Sequence, residues 1–429
     1  MHATGEESSR QGLLVAKETS KADASPLTTR KRKLQATDMD LETRRRLWQQ
    51  QVPHLYDLVV SHSRSPGITA FQWPAGAARW GNMVLQRMVL GTAEALLVAA
   101  VRLPWDEPMA EECEAHSCQP QEQEDGIGKS FVRVTQYMKH DGPVKYLACS
   151  QQSYLLTATQ ADGSGDVLLF RAADWQVAVT HECSPDRRFK AAESPSGCCW
   201  IGGGNLLSGT VKGAHLWDVE AGSLIKEFSS GEFATTAVAA SNNSPDLVIA
   251  SCSDGCCRVW DARTGGVAFC WQCHQGSGSC VELAAGERVA SGGTDGHILL
   301  YELRQPSAEL CRLSWDGANF GAVTHMQWSR FSGSQLAGAY ADGRVLLWDV
   351  ERNQRLHSQS QISAEPPGVV FVHGGHSGSL PSGVAWSRDC PHLMASADPS
   401  GLQFWRRRTE VAAGEGICIA GLCMRVKLT

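Results

Sequence analysis

The groups in this chain that resemble chemical machinery are few, and each lacks a part its chemistry needs. Asp125-Gly-Ile-Gly-Lys129-Ser130 ends like a phosphate-binding loop, in which backbone N–H groups and a lysine cradle phosphate oxygens. The first glycine is missing at the required spacing, and a strand rather than a helix is expected to follow. Cys113, His116 and Cys118 are zinc-type donors close in sequence, with no fourth ligand at motif spacing. Ser, His and Asp are plentiful, yet no Gly-x-Ser-x-Gly turn precedes a helix. The sequence therefore assigns no catalytic, cofactor-binding or metal-ligating residue, and it reads as a protein that is not an enzyme.

Bulk composition narrows the classes further. With 42% apolar residues over 429, the chain can bury a sizeable core, which excludes a wholly disordered protein. A net charge of −6 argues against direct, specific nucleic-acid binding through a positively charged coat. No apolar stretch reaches the length of a membrane span, and the first residues lack the basic-then-apolar pattern of a secretory signal. The cysteines are scattered through apolar runs. Adjacent pairs such as Cys198-Cys199 and Cys256-Cys257 point to opposite faces of a strand, which disfavours bridging. They read as reduced thiols, and the expected compartment is the cytoplasm or the nucleus.

The elements that must position any site fall into four parts. Residues 1–36 are polar, with almost no aromatic or β-branched side chain, and read as a disordered head. Within it Arg30-Lys31-Arg32-Lys33 suits either an import signal or a solvated patch. A helix is expected over 37–53: Thr37 or Asp38 caps it, Asp40 and Glu42 favour its first turn, and Leu41, Trp48 and Leu55 recur every seven residues. Pro53 should stop it near Gln50 or Gln51. The run Arg44-Arg45-Arg46 lies mostly off the apolar stripe and reads as a solvated face. Residues 409–429 form a tail whose glycines argue against a long helix.

Between these parts, residues 54–408 repeat a plan of small residues, a tight turn and an apolar strand ending in an aromatic. The aromatics are Phe170, Trp217, Trp260, Tyr301, Trp348 and Trp405, each preceded by a turn such as Asp254-Gly255, Asp295-Gly296 or Asp342-Gly343. Their spacing, 41 to 57 residues, fits four-stranded propeller blades rather than shorter helical repeats. Residues 83–103 supply strands for a seventh blade, and a closed ring leaves no long open sheet edge. The expected fold is all-β: a seven-bladed WD40 β-propeller with an amino-terminal α-helix docked on its side. The aromatics are core.

Two motifs at the ends of this body carry a resemblance. Leu47-Trp48-Gln-Gln-Gln-Val-Pro53-His54-Leu55-Tyr56, continued through Ile68, Gln72-Trp73, Leu90-Gly91-Thr92 and Val101 to Pro104, resembles the helix and first strands of one WD40 group. These are the retinoblastoma-binding, chromatin-assembly-factor small-subunit histone-binding proteins. Pro366-Pro367, followed by a strand and His373-Gly-Gly-His376, is similar to the same family's late motif. The resemblance implies a nuclear, monomeric, non-catalytic subunit that presents histones H3–H4 to larger chromatin complexes. It also implies a groove for a histone H4 helix between the amino-terminal helix and the paired-proline loop, a helix-in-groove mode. Carried over, the groove residues are Leu47, Trp48, His54, Leu55, Glu365, Pro366, Pro367, Phe371 and Val372. In this family the His-Gly-Gly-His element is structural.

The departures are electrostatic. His54 replaces a family Phe, and Gln354 to Ala364 holds no acid where the family has several, leaving Glu365 alone. At the channel mouth Pro143 and Lys145 replace a Glu and an Asn, and later acidic positions fall near Glu193 or Ser194 and near Thr235 and Thr236. The H4 helix is thus expected as partner rather than the H3 tail. Between Asp106 and Asp125, acidic residues including Glu111, Glu112, Glu114, Glu122, Glu124 and Asp125 form a loop without Lys or Arg. It reads either as a solvated loop or as a docking surface for basic partners. The alternative function is a diverged WD40 scaffold, a ubiquitin-ligase substrate receptor or a ribosomal-protein chaperone.

Overall fold

A computed structural model describes residues 41–63, 67–105, 131–150, 154–159, 166–171, 179–191, 193–201, 204–240, 245–284, 287–303, 305–306, 308–315, 320–358, 368–376 and 380–408. The head, the acidic segment with Glu111, Glu112, Glu114, Glu122, Glu124 and Asp125, the Cys113/His116/Cys118 group, the Lys129-Ser130 turn, Glu365-Pro366-Pro367 and the tail all lie outside the described residues.

Seven antiparallel sheets form a ring. Their innermost strands are Ala70–Gln72, Val144–Cys149, Pro195–Ile201, Thr235–Ala240, Gly278–Leu283, Val323–Trp328 and Gly383–Trp386. Each touches the next, and the seventh touches the first, so the ring closes. We number the blades by this order. The closure is made from both ends of the chain. Tyr56–Ser63 pairs antiparallel with Gly401–Arg407 and completes blade 7, so the earliest strand is the outer strand of the last sheet. Blade 1 departs from four strands: Ala77–Trp80 pairs with Met83–Gly91, and Val179–Cys183 adds in parallel outside Phe131–Lys139.

The repeated Asp-Gly turns have one local cause. In blades 4, 5 and 6 the Asp carboxylate accepts the N–H two residues on, Asp254 from Cys256, Asp295 from His297 and Asp342 from Arg344, each at 3.1 Å. The glycine between them adopts positive φ (78°, 78° and 90°), which a side chain would disfavour. The strand that follows then buries its terminal aromatic. Phe170, Trp217, Trp260, Tyr301, Trp348 and Trp405 are all buried, so the repeat is core, as its spacing implied. The described cysteines are free thiols. No described helix is long and apolar enough to cross a membrane.

Among the described residues there are two helices. The first, α1, spans Leu41–Leu55 and runs past the stop expected near Gln50 or Gln51. Pro53 sits in the final turn, where only one backbone bond is forfeited. Burial of Leu55 and the adjacent Tyr56 holds that turn in place. The second, α2, spans Val350–Ser358 after the third strand of blade 6. The N–H of Arg352 is capped by Asp349 at 3.0 Å.

Candidate functional site

The helix α1 rests on blades 6 and 7 by one face. Trp48 and Leu55, seven residues apart, are buried, with Val52 partly so. The indole N–H of Trp48 donates to Tyr56 Oη at 2.8 Å, and Tyr56 Oη lies 2.9 Å from His373 Nδ1. Burial pushes Tyr56 well above the ordinary phenol range and His373 well below the ordinary imidazole range. Tyr56 therefore keeps its proton and donates it to a neutral His373. The His373 ring stacks on Trp405 at 4.5 Å and 4°, and Phe371 stacks on the same indole at 5.7 Å. Close approach matters as well: a Cβ on Gly375 would lie 2.8 Å from Trp48 Cζ2, so only glycine lets the helix sit this close.

A second anchor ties the start of the helix to blade 6. Arg44 reaches Asp342 at 3.5 Å, and Asp342 also pairs with Arg344 at 2.8 Å. Burial raises the Asp342 carboxyl above its usual range, and the two guanidiniums oppose that shift. Arg44 is thus a docking residue rather than part of a solvated face. Arg45 and Arg46 are exposed, and Arg46 pairs with Glu42, one turn away. The basic run gives no periodic signal for this split; it depends on a turn nearly three hundred residues later.

The expected groove residues separate into two sets. Trp48, Leu55 and Phe371 meet in one core cluster beneath α1, and Val372 points into a different one around Trp348. These four shape the surface from below and present no free face. Leu47, 37% exposed, and His54 stand one above the other on the outer side of the helix, with Gln50 between them. The strand Val369–His373 that follows the paired prolines lies under the helix end, where Phe371 meets Tyr56 edge-on at 5.1 Å.

The His373-Gly-Gly-His376 pair is committed internally. His376 Nε2 lies 2.7 Å from Ser396 Oγ, and Trp405 Nε1 donates to the same hydroxyl at 3.0 Å. The carboxylate of Asp398 is 3.7 Å from His376 Nδ1, and neither side chain reaches solvent. This Ser-His-Asp arrangement has no approach for a substrate, and its geometry serves to brace blade 7. No group of three or more metal-type ligands converges among the described residues.

Among the described residues, the positions expected at the channel mouth offer little negative charge. Lys145 and Pro143 are exposed at the start of the innermost strand of blade 2. Glu193 is occupied by Lys212, whose side chain and backbone N–H both bond it. Thr235 is buried, and the Thr236 hydroxyl donates to Ser251 O at 3.0 Å. Glu282, on the innermost strand of blade 5, is pushed up to about 7 by burial, so its charge is incomplete at neutral pH. Sequence reading missed Glu282 because a single acid in an apolar strand has no motif.

Comparison with known proteins fits this architecture. Residues 222–261 match the WD domain, G-beta repeat, and residues 268–379 match the Vps8 beta-propeller. The chain is 28% identical over 384 residues to the WD-40 repeat-containing protein MSI3 of Arabidopsis thaliana, covering 84% of this chain and 88% of that protein. It is 24% identical over 396 residues to the histone acetyltransferase type B subunit 2 of Candida glabrata, covering 86% and 89%.

Proposed function

Since the chain belongs to the WD40-repeat family, we propose that it is a non-catalytic, nuclear histone-binding subunit that presents H3–H4 to chromatin complexes. One observation carries the reading: α1 is locked onto blades 6 and 7 yet leaves Leu47 and His54 on an open face. In sequence, Glu365, Pro366 and Pro367 come just before the strand Val369–His373 beneath that face. An amphipathic helix would lay its apolar side against Leu47 and the paired prolines, in the helix-in-groove manner. The name of the Candida glabrata relative, a subunit of a histone acetyltransferase, supports histone as cargo. The weakly charged channel mouth supports the H4 helix over the H3 tail, because a basic tail gains little from Lys145, Thr235 or a neutralised Glu193. The lack of acids from Gln354 to Ala364 favours a second reading, a scaffold with other partners such as a ubiquitin-ligase substrate receptor or a ribosomal-protein chaperone.

The test is fluorescence anisotropy of a labelled H4 first-helix peptide, beside an H3-tail peptide, at two salt concentrations. Leu47→Asp is the informative variant: Leu47 is exposed, so stability should change by no more than about 0.5 kcal/mol. The proposal expects micromolar or tighter H4 binding that weakens about tenfold or more in the variant. Equal binding by both proteins would remove α1 from the site. A steep salt dependence would point to acidic residues of the 106–125 segment as further contacts.

A further inference from the structure

The outer strands of blades 3 to 6 share one register. Opposite the residue before each terminal aromatic stand Lys226, Phe269, Cys311 and Phe371, in blades 3, 4, 5 and 6. Each is turned toward the following blade, with the residue two places on beside it: Trp271 in blade 4, His373 in blade 6. Three of these four rims are covered. In blade 6, α1 lies over the pair, Tyr56 meeting Phe371 at 5.1 Å and Trp48 meeting His373 at 5.8 Å. In blade 5, α2 lies over Cys311, where Asn353 Nδ2 donates to the sulfur at 2.8 Å and to Arg312 O at 3.1 Å. In blade 3, Lys226 closes its own rim by donating from Nζ to Arg263 O of blade 4 at 2.7 Å. Among the described residues nothing does this for blade 4. Phe269 is 39% exposed, against 5% for Phe371.

The open rim between blades 4 and 5 repeats the seat of α1. Its floor is Trp271 against Tyr301 at 5.5 Å, where His373 stacks on Trp405 beneath α1. His274, bonded to Ser291 at 3.0 Å and Asp295 at 3.1 Å, repeats the His376 brace below that floor. Two differences decide what the rim accepts. Cys273 stands where Gly375 lets Trp48 close in, so a helix here rides farther out, on Phe269. The charge also changes. Under α1, Asp342 receives Arg44, whereas the corresponding Asp254 is held on both oxygens by Arg258, at 2.6 and 3.0 Å. Across the rim, Arg312 pairs in the ladder with Leu299, which belongs to the core shared with blade 4, so Arg312 stands on the facing wall. Its side chain is 51% exposed and bonded to Glu309 at 3.2 Å. An exposed pair of this kind is weak, and a guanidinium has donors for a second carboxylate.

We propose that the rim between blades 4 and 5 is a second helix seat, taking an amphipathic helix from a partner protein. The helix lays an aliphatic stripe on Phe269 and Trp271 and sets a carboxylate beside Arg312. A helix is the fitting element because helices of this chain fill the two rims that follow, through α2 and α1. A second copy's α1 does not suit the seat. Its apolar face is spent on blades 6 and 7, and its Arg44 would find Asp254 closed and Arg312 of like charge. Because the rim between blades 5 and 6 separates the two seats, both can be filled at once. A subunit that presents one protein to another needs such a pair of surfaces. The inference rests on the comparison of rims alone and stands apart from the histone reading.

The experiment is fluorescence anisotropy on the full chain with two labelled, hydrocarbon-stapled helical peptides. Both carry leucines at i, i+4 and i+7, and one flank bears either glutamates or arginines. The glutamate peptide is expected to bind about tenfold tighter than the arginine peptide. Phe269→Asp should weaken it about tenfold or more, and Arg312→Ala should abolish the preference between the two. Leu47→Asp should change neither, which separates this seat from the groove at α1. Binding of neither peptide, tighter binding of the arginine peptide, or equal binding by wild type and both rim variants would overturn the proposal. Self-association of the free chain in sedimentation, lost in Phe269→Asp, would also overturn it by assigning the rim to a second copy. Arg312 is exposed, so Arg312→Ala decides even where Phe269→Asp fails to fold.

Discussion

Blade 7 and blade 5 share a framework of His, Ser and Asp and differ in the fourth partner. In blade 7, His376, Ser396 and Asp398 are joined by Trp405, and the indole also forms the floor on which His373 and Phe371 stack. Helix α1 stands on that floor through Trp48 and Tyr56. In blade 5, His274 meets Ser291 and Asp295, and the Cys257 thiol donates to the same serine. The same hydrogen-bonded core therefore ends in an indole that carries α1 in blade 7 and in a buried thiol in blade 5.

The strongest way to break the comparison is Trp405→Ala. It removes the floor under α1 and the N–H on Ser396 together, and should cost about 3–5 kcal/mol by urea unfolding. Tyr301→Ala removes a smaller buried ring that carries no indole N–H, and should cost less; equal losses would mean the two blades are braced alike. Next comes Tyr56→Phe, which keeps the ring and deletes the hydroxyl between Trp48 and His373. Leaving both nitrogens unpaired should cost about 2 kcal/mol. A loss near zero would show that the aromatic packing alone holds the helix.

Proton uptake by His373 gives a smaller, graded test. Its folded pKa is depressed below the ordinary 6.5 by burial and by His376 beside it. The unfolded chain therefore binds a proton that the folded one excludes. Stability is full above about pH 6.5 and falls as pH drops below it, by about 1.4 kcal/mol per pH unit for this one group. His373→Gln should flatten that slope in a pH series of chemical denaturation. An unchanged slope would assign the acid sensitivity to other groups, such as His274.

What the sequence revealed follows the range of the interactions. The Asp-Gly turns and terminal aromatics are readable because their causes lie within a few residues, as with Asp254 and Cys256. The buried pair Trp48 and Leu55 is readable from seven-residue spacing. The joint beneath α1 is not: Tyr56 and His373 are 317 residues apart, and nothing local marks them as partners. Pro53 misleads about the helix end because tertiary burial of Leu55 outweighs one lost backbone bond. Resemblance to a histone-binding family named the groove residues, but the fold buries Trp48, Leu55, Phe371 and Val372 and leaves Leu47 and His54 outside.

The most direct test of the central claim is hydrogen–deuterium exchange of the full chain with and without an H3–H4 complex. Binding at the helix-bearing side predicts slowed exchange over residues 41–55 and through the paired-proline segment into 369–373, with blades 4 and 5 unchanged. Protection confined to the channel mouth or to blades 4 and 5, with the helix unaltered, would contradict the account.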